Sequence, residues 1–553
     1  MAERTRREFL KASAGSVLGL GAAARLGAAG VAGALASAPF ASAGAATPNW
    51  ALLQSQMVGQ LALPSSSDWS TATQMYNTRY DTIVPEAVAF CAVPADVQAA
   101  VRFARENGLQ VRGRNGRHSY GGYSTCTSLI IDVSQMSSVA LGPGATTATI
   151  ASGAVLIDVE TKLFDGGSVA IPAGTCPSVG ITGLTLGGGV GESGRLFGLT
   201  CDNLTSIDLV LADGSLVTAN AQQHPDLLWA SQGGGGGNFG IVTSLSYKTH
   251  PVSDVTVFNF IWPWSQAAAV ADAWQTWIAT LPDEVFSGLA MATSPNNAAP
   301  FLGTAGTFYG SPAALAPIVA PLLAAGTPTS TFVQQMTFLE MVEYYAGCSN
   351  LTEQECHTPY FVPPGVLGLA TFYAKSRYFS KPLPPSGIAE LIKWVEIRQN
   401  DPNQPSNPNQ FGAGGALFDS YGGALNRPAK DATAFCHRDA LFHIQSFGYW
   451  QPSSPQSLID DNVTWLDSFY QAMVPYSNGE AYVNYIDPNL ADWQQAYYGS
   501  NLPRLRSIKT AYDPDDFFSF AQSIPPYPPS PSTTATPTTT APVAPVVTPS
   551  FTG

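Results

Sequence analysis

Charged side chains are scarce in this chain, and basic ones are the scarcer kind. Asp, Glu, Lys and Arg make up 12% of the 553 residues, with 25 Lys and Arg against 39 Asp and Glu. The net charge of −14 argues against a basic surface that would bind nucleic acid. Together with 45% hydrophobic and 11% aromatic residues, the low charge is typical of an exported protein with a sizeable core.

Long apolar runs are missing beyond the first 43 residues. Segment 1–43 contains Arg6-Arg7-Glu8-Phe9-Leu10-Lys11, a weakly apolar stretch that includes Arg25, and the small-residue site Ala41-Ser42-Ala43. This pattern predicts a twin-arginine signal peptide, handled by the twin-arginine export machinery, rather than a Sec signal or a membrane anchor. Removing it takes five basic and two acidic residues, so the net charge falls from −14 to −17. Because no later segment has about 20 unbroken apolar residues, we expect no stable membrane anchor after processing.

Cysteine and histidine are also sparse, with seven and six residues. In an exported chain, cysteines are expected to pair in disulfides, and an odd number leaves one unpaired. If Cys176 has another role, six cysteines remain that could pair. The loop that contains Cys348 and Cys356 is the best candidate for a disulfide. The pairs Cys356-His357 and Cys436-His437 have no compact ligand set beside them, so the sequence predicts no metal site.

Short strands interleaved with helices predict an α+β fold built in several parts. The length favours two or three domains. Helical spacing from Asp96, apolar strands near 109–112, 129–133 and 148–151, and a helix near 155–164 predict a first domain over 44–252. Composition then changes to Trp- and Tyr-rich sequence, which indicates a second domain.

The remaining boundaries follow from composition. We predict the second domain at 253–478, a compact motif-rich segment at 479–525, and a Pro/Thr-rich tail at 526–553 that has no charged residue. Such a tail is expected to be disordered. A spacer, a glycosylated stalk and a cell-wall tether all remain open as its role.

Glycine concentrates in two stretches inside apolar sequence, 166–198 and 232–243. Glycine lets the backbone press against a ligand, and backbone N–H groups at such turns can hold a diphosphate without lysine. A flexible linker is the alternative, but both stretches lie between apolar segments. Neither stretch has Rossmann or P-loop spacing, so glycine alone does not name the ligand.

Two motifs do name it. Arg114-Asn115-Gly116-Arg117-His118-Ser119-Tyr120-Gly121-Gly122 and Pro172-Ala173-Gly174-Thr175-Cys176-Pro177-Ser178-Val179-Gly180-Ile181-Thr182-Gly183 resemble the segments that carry the flavin-linked histidine and cysteine in berberine bridge enzyme-like oxidases. These enzymes belong to the vanillyl-alcohol oxidase fold group. Further matches are Asn238-Phe239-Gly240-Ile241-Val242-Thr243, Tyr482-Val483-Asn484-Tyr485, Trp493, Tyr497-Tyr498-Gly499 and Asp513-Pro514. The resemblance spans residues 75–525.

The resemblance implies a PCMH-type FAD-binding domain formed by 44–252 and the returning segment 479–525, with an inserted substrate domain of antiparallel sheet backed by helices. It implies FAD linked covalently to His118 and Cys176, because imidazole and thiolate are nucleophiles that can add to the flavin at its 8α-methyl and C6 positions. The cofactor-binding residues that it implies are Arg114, Asn115, Gly116, Arg117, Ser119, Val179, Gly180, Gly183, Gly188, Gly189, Gly237, Asn238, Gly240, Ile241, Val242, Tyr482 and Asn484.

For catalysis, the resemblance points to Tyr485 as the base that accepts the substrate hydroxyl proton. Since a free phenol has a pKa near 10, the site must stabilise its anion to work near neutrality. The alternative is that Tyr482 and Tyr485 lie along a strand as aromatic core, with Asn484 on the other face toward the cofactor. In relatives, a valine at the position of Val179 leaves room for dioxygen, which favours an oxidase.

Three positions depart from the family pattern. Arg117 stands where the family often has glycine, Leu184 where some relatives have a flavin-contacting histidine, and Val190 where some sugar and secondary-metabolite oxidases have tyrosine. We expect a secreted oxidase that takes hydride from a CH–OH group of a carbohydrate or natural-product alcohol and passes electrons to O2, giving H2O2. A dehydrogenase with another acceptor and a non-catalytic flavin-containing polysaccharide-binding protein are the alternatives.

Overall fold

The computed structural model describes residues 48–294, 299–402 and 413–528. The predicted signal peptide at 1–43 and most of the predicted tail at 526–553 lie outside the described residues. In the part of the chain that the structure describes, no helix is both long and apolar enough to cross a bilayer.

Helices occur throughout the described chain. They are α1 (Trp50–Ser55), α2 (Trp69–Thr73), α3 (Pro94–Glu106), α4 (Leu156–Gly167), α5 (Ile181–Leu186), α6 (Gly194–Phe197), α7 (Pro225–Ser231), α8 (Ala267–Ile278), α9 (Pro312–Leu323), α10 (Phe338–Ala346), α11 (Pro385–Gln399), α12 (Gln456–Met473), α13 (Trp493–Tyr498) and α14 (Leu502–Tyr512). Single 3₁₀ turns connect several of them, and the one at Val483–Tyr485 bears on the site described below.

The strands fall into two groups along the chain. The first group is β1 (Gln60–Ala62), β2 (Ala87–Phe90), β3 (Val111–Arg114), β4 (Leu129–Asp132), β5 (Val139–Leu141), β6 (Thr147–Ala151), β7 (Val169–Ala170), β8 (Leu204–Val210), β9 (Leu216–Asn220), β10 (Ile241–Lys248) and β11 (His250–Pro251). The second group is β12 (Val255–Ile261), β13 (Val285–Ala292), β14 (Phe301–Phe308), β15 (Ser330–Met336), β16 (Thr371–Phe379), β17 (Gly414–Ser420) and β18 (Phe442–Trp450).

Among the described residues, the first group of strands forms two main sheets. One has the order β1-β2-β4-β3, in which β4 pairs in parallel with both neighbours, and the other is antiparallel with the order β5-β6-β10-β8-β9. Helix α3 connects β2 to β3, as parallel pairing requires. The small pair β7 and β11 joins the end of this region to its middle.

Helix α3 shows why the local sequence folds as predicted. Pro94 begins it, and the buried Asp96 carboxylate accepts hydrogen bonds from Val58 N at 2.8 Å and Gly59 N at 2.9 Å. Its buried apolar face packs against β2, β4 and residues of β8 and β10. Gly108, just past the helix end, has φ +65°, a conformation that glycine adopts at little cost. The predicted helix is confirmed.

The second group of strands forms an antiparallel sheet with the order β15-β12-β14-β13-β17-β18-β16 in the described parts of the chain. Alternate side chains of these strands point to opposite faces. Along β18, Phe442 and Ile444 pack with helices α8, α9, α11 and α12 into one large core. Gln445 and Tyr449, at positions of the other parity, face the opposite side. The predicted α+β class and the antiparallel sheet backed by helices are confirmed.

After α12 the chain returns to the first region. Val483, Ile486 and Leu505 are buried in the core that β6, β8 and β10 form with α4. The buried Lys509 ammonium donates to Asn238 O at 2.8 Å, and Ile524 N donates to Asn238 Oδ1 at 2.9 Å. The returning segment therefore fixes the second glycine stretch in place.

Candidate cofactor and active site

A cavity of about 450 Å³ lies between the first region, the returning segment and the large sheet. It brings together most of the residues predicted to form the site. Those that line it are Arg114, Asn115, Gly116, Arg117, His118, Ser119, Cys176, Val179, Gly180, Gly183, Gly237, Asn238, Gly240, Ile241, Val242, Tyr482, Asn484 and Tyr485. Residues far apart in sequence thus line one cavity.

Gly188 and Gly189 do not line this cavity, contrary to the expectation that they contact the cofactor. Gly188 lies against the Phe435 ring, and Gly189 N donates a hydrogen bond of 2.8 Å to the Tyr482 hydroxyl. Both have positive φ, +129° and +88°, so the chain turns sharply there. The glycines serve this turn and its packing rather than the cavity wall.

The two motif loops touch through glycine. A Cβ added to Gly116 would lie 2.3 Å from Gly180 N, and one added to Gly180 would lie 2.3 Å from the Asn115 side chain. Such contacts are too short for any side chain, so glycine is required at both positions. The loops that carry His118 and Cys176 are therefore pressed together over their backbones.

Arg117, which replaces the family glycine, adopts the left-handed conformation that glycine favours, with φ +66°. Its buried guanidinium donates to Thr71 O at 2.8 Å and Gln74 O at 2.9 Å, and lies 4.5 Å from the centre of the Tyr360 ring. These contacts offset the strain of a non-glycine residue at this φ. Arg117 therefore holds the loop before His118 in the shape that glycine would otherwise allow.

His118 and Cys176 share one hydrogen-bonding partner. Ser178 Oγ lies 2.9 Å from His118 Nε2 and 3.8 Å from Cys176 Sγ. The Tyr76 ring stacks on the imidazole at 3.7 Å between centroids. Burial lowers the pKa of His118 to about 3 and raises the pKa of the Cys176 thiol, an effect that the Ser178 hydroxyl opposes. His118 is thus a neutral imidazole near pH 7, the form that acts as a nucleophile.

Tyr485 occupies an aromatic corner at another part of the cavity. Its ring stacks on Tyr120 at 4.8 Å and lies 5.1 Å from Tyr482 and 5.3 Å from His443, between centroids. Gln445 Nε2 donates to the Tyr120 hydroxyl at 2.8 Å. Burial, and then neighbours that include Tyr120 and Asp419, raise the pKa of Tyr485 well above its ordinary value. The residues near Tyr485 therefore do not supply the anion stabilisation that a base at neutral pH requires.

The alternative in which Tyr482 and Tyr485 lie along a strand is wrong. Val483–Tyr485 form a 3₁₀ turn, in which Tyr485 N donates to Tyr482 O at 3.0 Å. The turn lets all three polar side chains reach the cavity, whereas a strand would send Asn484 to the opposite face. Asn484 Nδ2 donates to Leu184 O at 2.9 Å and to the Tyr482 hydroxyl at 2.9 Å.

Several residues that line the cavity were not among those predicted from the sequence. Strands of the large sheet supply Phe286, Phe372, Asp419, Gln445 and Tyr449, and two earlier segments supply Tyr76 and Glu192. The only signal for the strand residues was the aromatic character of the second domain. Which strand face meets the cavity depends on sheet register, which no local motif encodes.

The described cysteines form fewer disulfides than their number in the sequence suggests. The predicted disulfide between Cys348 and Cys356 is confirmed. The other five cysteines, Cys91, Cys126, Cys176, Cys201 and Cys436, are free thiols. An odd count therefore does not single out Cys176, and its case depends on its place in the cavity. No group of three or more His, Cys, Asp and Glu side chains in the described residues could hold a metal ion.

The cavity fits a dinucleotide flavin. Glycine backbone forms much of the wall that includes 235–237 and 240. Glycine lets the backbone approach a ligand closely, and backbone N–H groups at such turns can hold a diphosphate. The neutral His118 and the Cys176 thiol lie on the same wall.

Comparison with known proteins identifies the family. The FAD binding domain family matches residues 85–220, and the berberine and berberine-like family matches residues 481–525. The FAD-linked oxidoreductase YgaK of Bacillus subtilis is 34% identical over 478 residues, which cover 86% of this chain and 98% of that protein. The chain is a berberine bridge enzyme-like FAD-linked oxidoreductase.

Other relatives agree with this assignment. The xylooligosaccharide oxidase of Thermothelomyces thermophilus is 32% identical, over 84% of this chain and 91% of that protein. The structure of Physcomitrella patens BBE-like 1 matches with a TM-score of 0.77 and 31% identity, over 86% of this chain and 98% of that chain. The cofactor of this berberine bridge enzyme-like oxidoreductase is FAD. The glycine-lined wall, with the backbone of the two motif loops beside it, is in place to hold it.

Proposed function

We propose that this protein is a secreted oxidase that takes hydride from a CH–OH group of a carbohydrate or natural-product alcohol. FAD, linked through His118 and Cys176, would accept the hydride and return the electrons to O2, which gives H2O2. The observation that carries the proposal is one cavity lined both by His118 and Cys176, which share the Ser178 hydroxyl as a hydrogen-bonding partner, and by Tyr485 among other aromatic rings.

The substrate class follows from the large-sheet side of the cavity. Phe372 and Tyr449 of the sheet supply aromatic rings beside Tyr120 of the first region, and Gln445 and Asp419 supply amide and carboxylate groups. Ring faces with a few placed polar groups suit a sugar, which has apolar C–H faces and hydroxyl edges. The relative from Thermothelomyces thermophilus named as a xylooligosaccharide oxidase supports this choice. A peroxide-coupled screen of oligosaccharides, simple alcohols and glycosylated aromatics tests it.

Tyr485 would act as the general base. Its raised pKa makes the phenol protonated near neutrality, so only a small fraction of free enzyme holds the active anion. Bound substrate and cofactor would then have to favour proton transfer at the moment of reaction. The Tyr120 ring stacked on it and the 3₁₀ turn that contains it restrict movement of the Tyr485 ring.

The acceptor is tested separately from the substrate. Val179 lines the cavity, and its small side chain favours access for O2, so we propose an oxidase rather than a dehydrogenase. Peroxide formation measured with and without an artificial acceptor distinguishes the two. Bleaching of the flavin spectrum by substrate without air would exclude a non-catalytic sugar-binding protein, whereas an unchanged spectrum with every substrate would support one.

Covalent attachment and export need their own measurements. Acid-denatured protein is expected to remain yellow, and peptides that contain His118 and Cys176 should carry the added mass of a flavin. Release of all FAD on denaturation would contradict the proposal. Export by the twin-arginine route predicts that replacing Arg6 and Arg7 by lysine retains the precursor in the cells, while wild-type protein appears outside them.

A further inference from the structure

We propose that Ser178 is a positioning residue that orients both nucleophiles for attachment of the flavin. This inference rests on the proposed function, because it requires links at His118 and Cys176. The single hydroxyl of Ser178 lies 2.9 Å from His118 Nε2 and 3.8 Å from Cys176 Sγ. Ser178 is 3% exposed and does not line the cavity. It therefore contacts His118 and Cys176 on the side away from the cavity.

The hydroxyl has a fixed position because its backbone is held on both sides. Ile157 N donates to Pro177 O at 3.1 Å, and Leu156 N donates to Val179 O at 3.0 Å, which ties the segment to the first turn of α4. On the other side, a Cβ on Gly116 would lie 2.7 Å from Ser178 O. The loop that carries His118 thus packs directly on the backbone of Ser178.

One arrangement of the Ser178 hydrogen bonds would favour attack on the flavin by both His118 and Cys176. When neutral His118 carries its proton on Nε2, it donates to Ser178 Oγ, and the Ser178 hydroxyl is left to donate to the sulfur of Cys176. The Nδ1 lone pair is then free to attack, and the sulfur receives a donor that favours the thiolate. The Tyr76 ring, stacked on the imidazole at 3.7 Å, limits rotation of His118 away from this geometry.

The bond changes are balanced with O2 as the oxidant. Each link replaces one N–H or S–H bond of the protein and one C–H bond of the flavin by a single C–N or C–S bond. The two electrons pass through the flavin to O2, which takes up the two protons and becomes H2O2. At His118 the proton lost is the one on Nε2, which is hydrogen-bonded to Ser178 Oγ until it leaves to solvent.

The test compares Ser178→Ala with Ser178→Thr, which restores a hydroxyl. FAD is added in air to apoprotein of the full chain, and mass spectrometry follows the flavin-bearing fraction of the His118 and Cys176 peptides over time. We expect attachment at both sites to slow at least about tenfold in Ser178→Ala, in line with loss of a hydrogen bond of about 1.4 kcal/mol, and to recover in Ser178→Thr. The matched control is Ser231→Ala, another buried serine, whose hydroxyl donates to Leu227 O at 2.8 Å.

The pH dependence separates positioning from general destabilisation. In a His118→Ala background, flavin attachment at Cys176 should be slow when Ser178→Ala is also present. Its rate should rise at alkaline pH, because the Cys176 thiolate then forms without the serine donor. If Ser178→Ala does not fold, as judged by circular dichroism, Ser178→Cys gives the same comparison with a weaker donor. If Ser178→Ala attaches flavin to His118 and Cys176 at the wild-type rates, this inference is overturned and the proposed function stands. If the wild-type protein itself forms no covalent link to flavin, both the proposed function and this inference are overturned.

Discussion

The two sides of the cavity are built in different ways. The cofactor side consists of backbone and glycine from loops pressed together, as at Gly116 and Gly180, where no Cβ fits. The substrate side consists of large side chains from separate strands of a sheet, such as Phe372 and Tyr449. The first is in place to hold FAD, and we expect the second to differ among family members, because a side chain on a strand can be exchanged where a glycine under close backbone contact cannot. This contrast explains how one fold can keep FAD and vary the molecule that it oxidises.

The largest effect is expected from removing both nucleophiles on the cofactor side. His118→Ala with Cys176→Ala should abolish acid-stable flavin completely, whereas each single variant should keep one link. Absorbance of the acid-denatured protein at flavin wavelengths measures this. Covalent flavin in the double variant would show that another residue forms a link.

On the substrate side, Tyr485→Phe should lower turnover by a factor of about 10² to 10⁴, because a general base is lost. Flavin attachment should be unchanged, since Tyr485 belongs to the other side of the cavity. Rapid-reaction measurement of flavin reduction gives the rate. Loss of flavin together with activity would mean that the two sides are not independent.

The pH dependence of flavin reduction also tests Tyr485 as the base. Because burial and nearby Tyr120 and Asp419 raise the pKa of Tyr485, its active anion becomes more abundant as pH rises toward that pKa. The rate of flavin reduction should therefore increase with pH above neutrality, by at most about tenfold per unit for a single proton. The increase should be absent in Tyr485→Phe, and a wild-type rate that falls with pH over this range would remove Tyr485 as the base.

The smallest effects concern the backbone of the cofactor side. Gly116→Ala should lower the free energy of unfolding by roughly 1–3 kcal/mol, because its Cβ would overlap Gly180. Gly183, in helix α5, has no neighbour within 4 Å of an added Cβ, so Gly183→Ala should change the stability of the apoprotein by less than about 1 kcal/mol. Urea unfolding of the apoproteins measures both.

Gly183→Ala also serves as a probe of the cavity. The glycine lines it, and a methyl group there would occupy space intended for the cofactor. Retained apoprotein stability with weaker FAD uptake would place the flavin against α5. Equal destabilisation of Gly116→Ala and Gly183→Ala would contradict the view that close backbone contact distinguishes these positions.

Much of the cofactor side could be predicted because its residues lie in contiguous motifs. His118 and Cys176 each stand in such a segment, and the cavity contains both. Gly188 and Gly189 belong to a glycine run but do not line the cavity, because a glycine run indicates close approach of the backbone without saying to what. Here the approach is to Phe435 and Tyr482.

The family and the cofactor could be predicted from the chain alone through the resemblance of contiguous motifs, and the α+β class through the pattern of short strands and helices. The folded arrangement was needed to show that a 3₁₀ turn follows Tyr482 and carries Asn484 and Tyr485, and that the Ser178 hydroxyl contacts both His118 and Cys176. The physical reason is that the direction of a side chain depends on register and on contacts across about 60 residues of chain between His118 and Ser178, which no single segment contains.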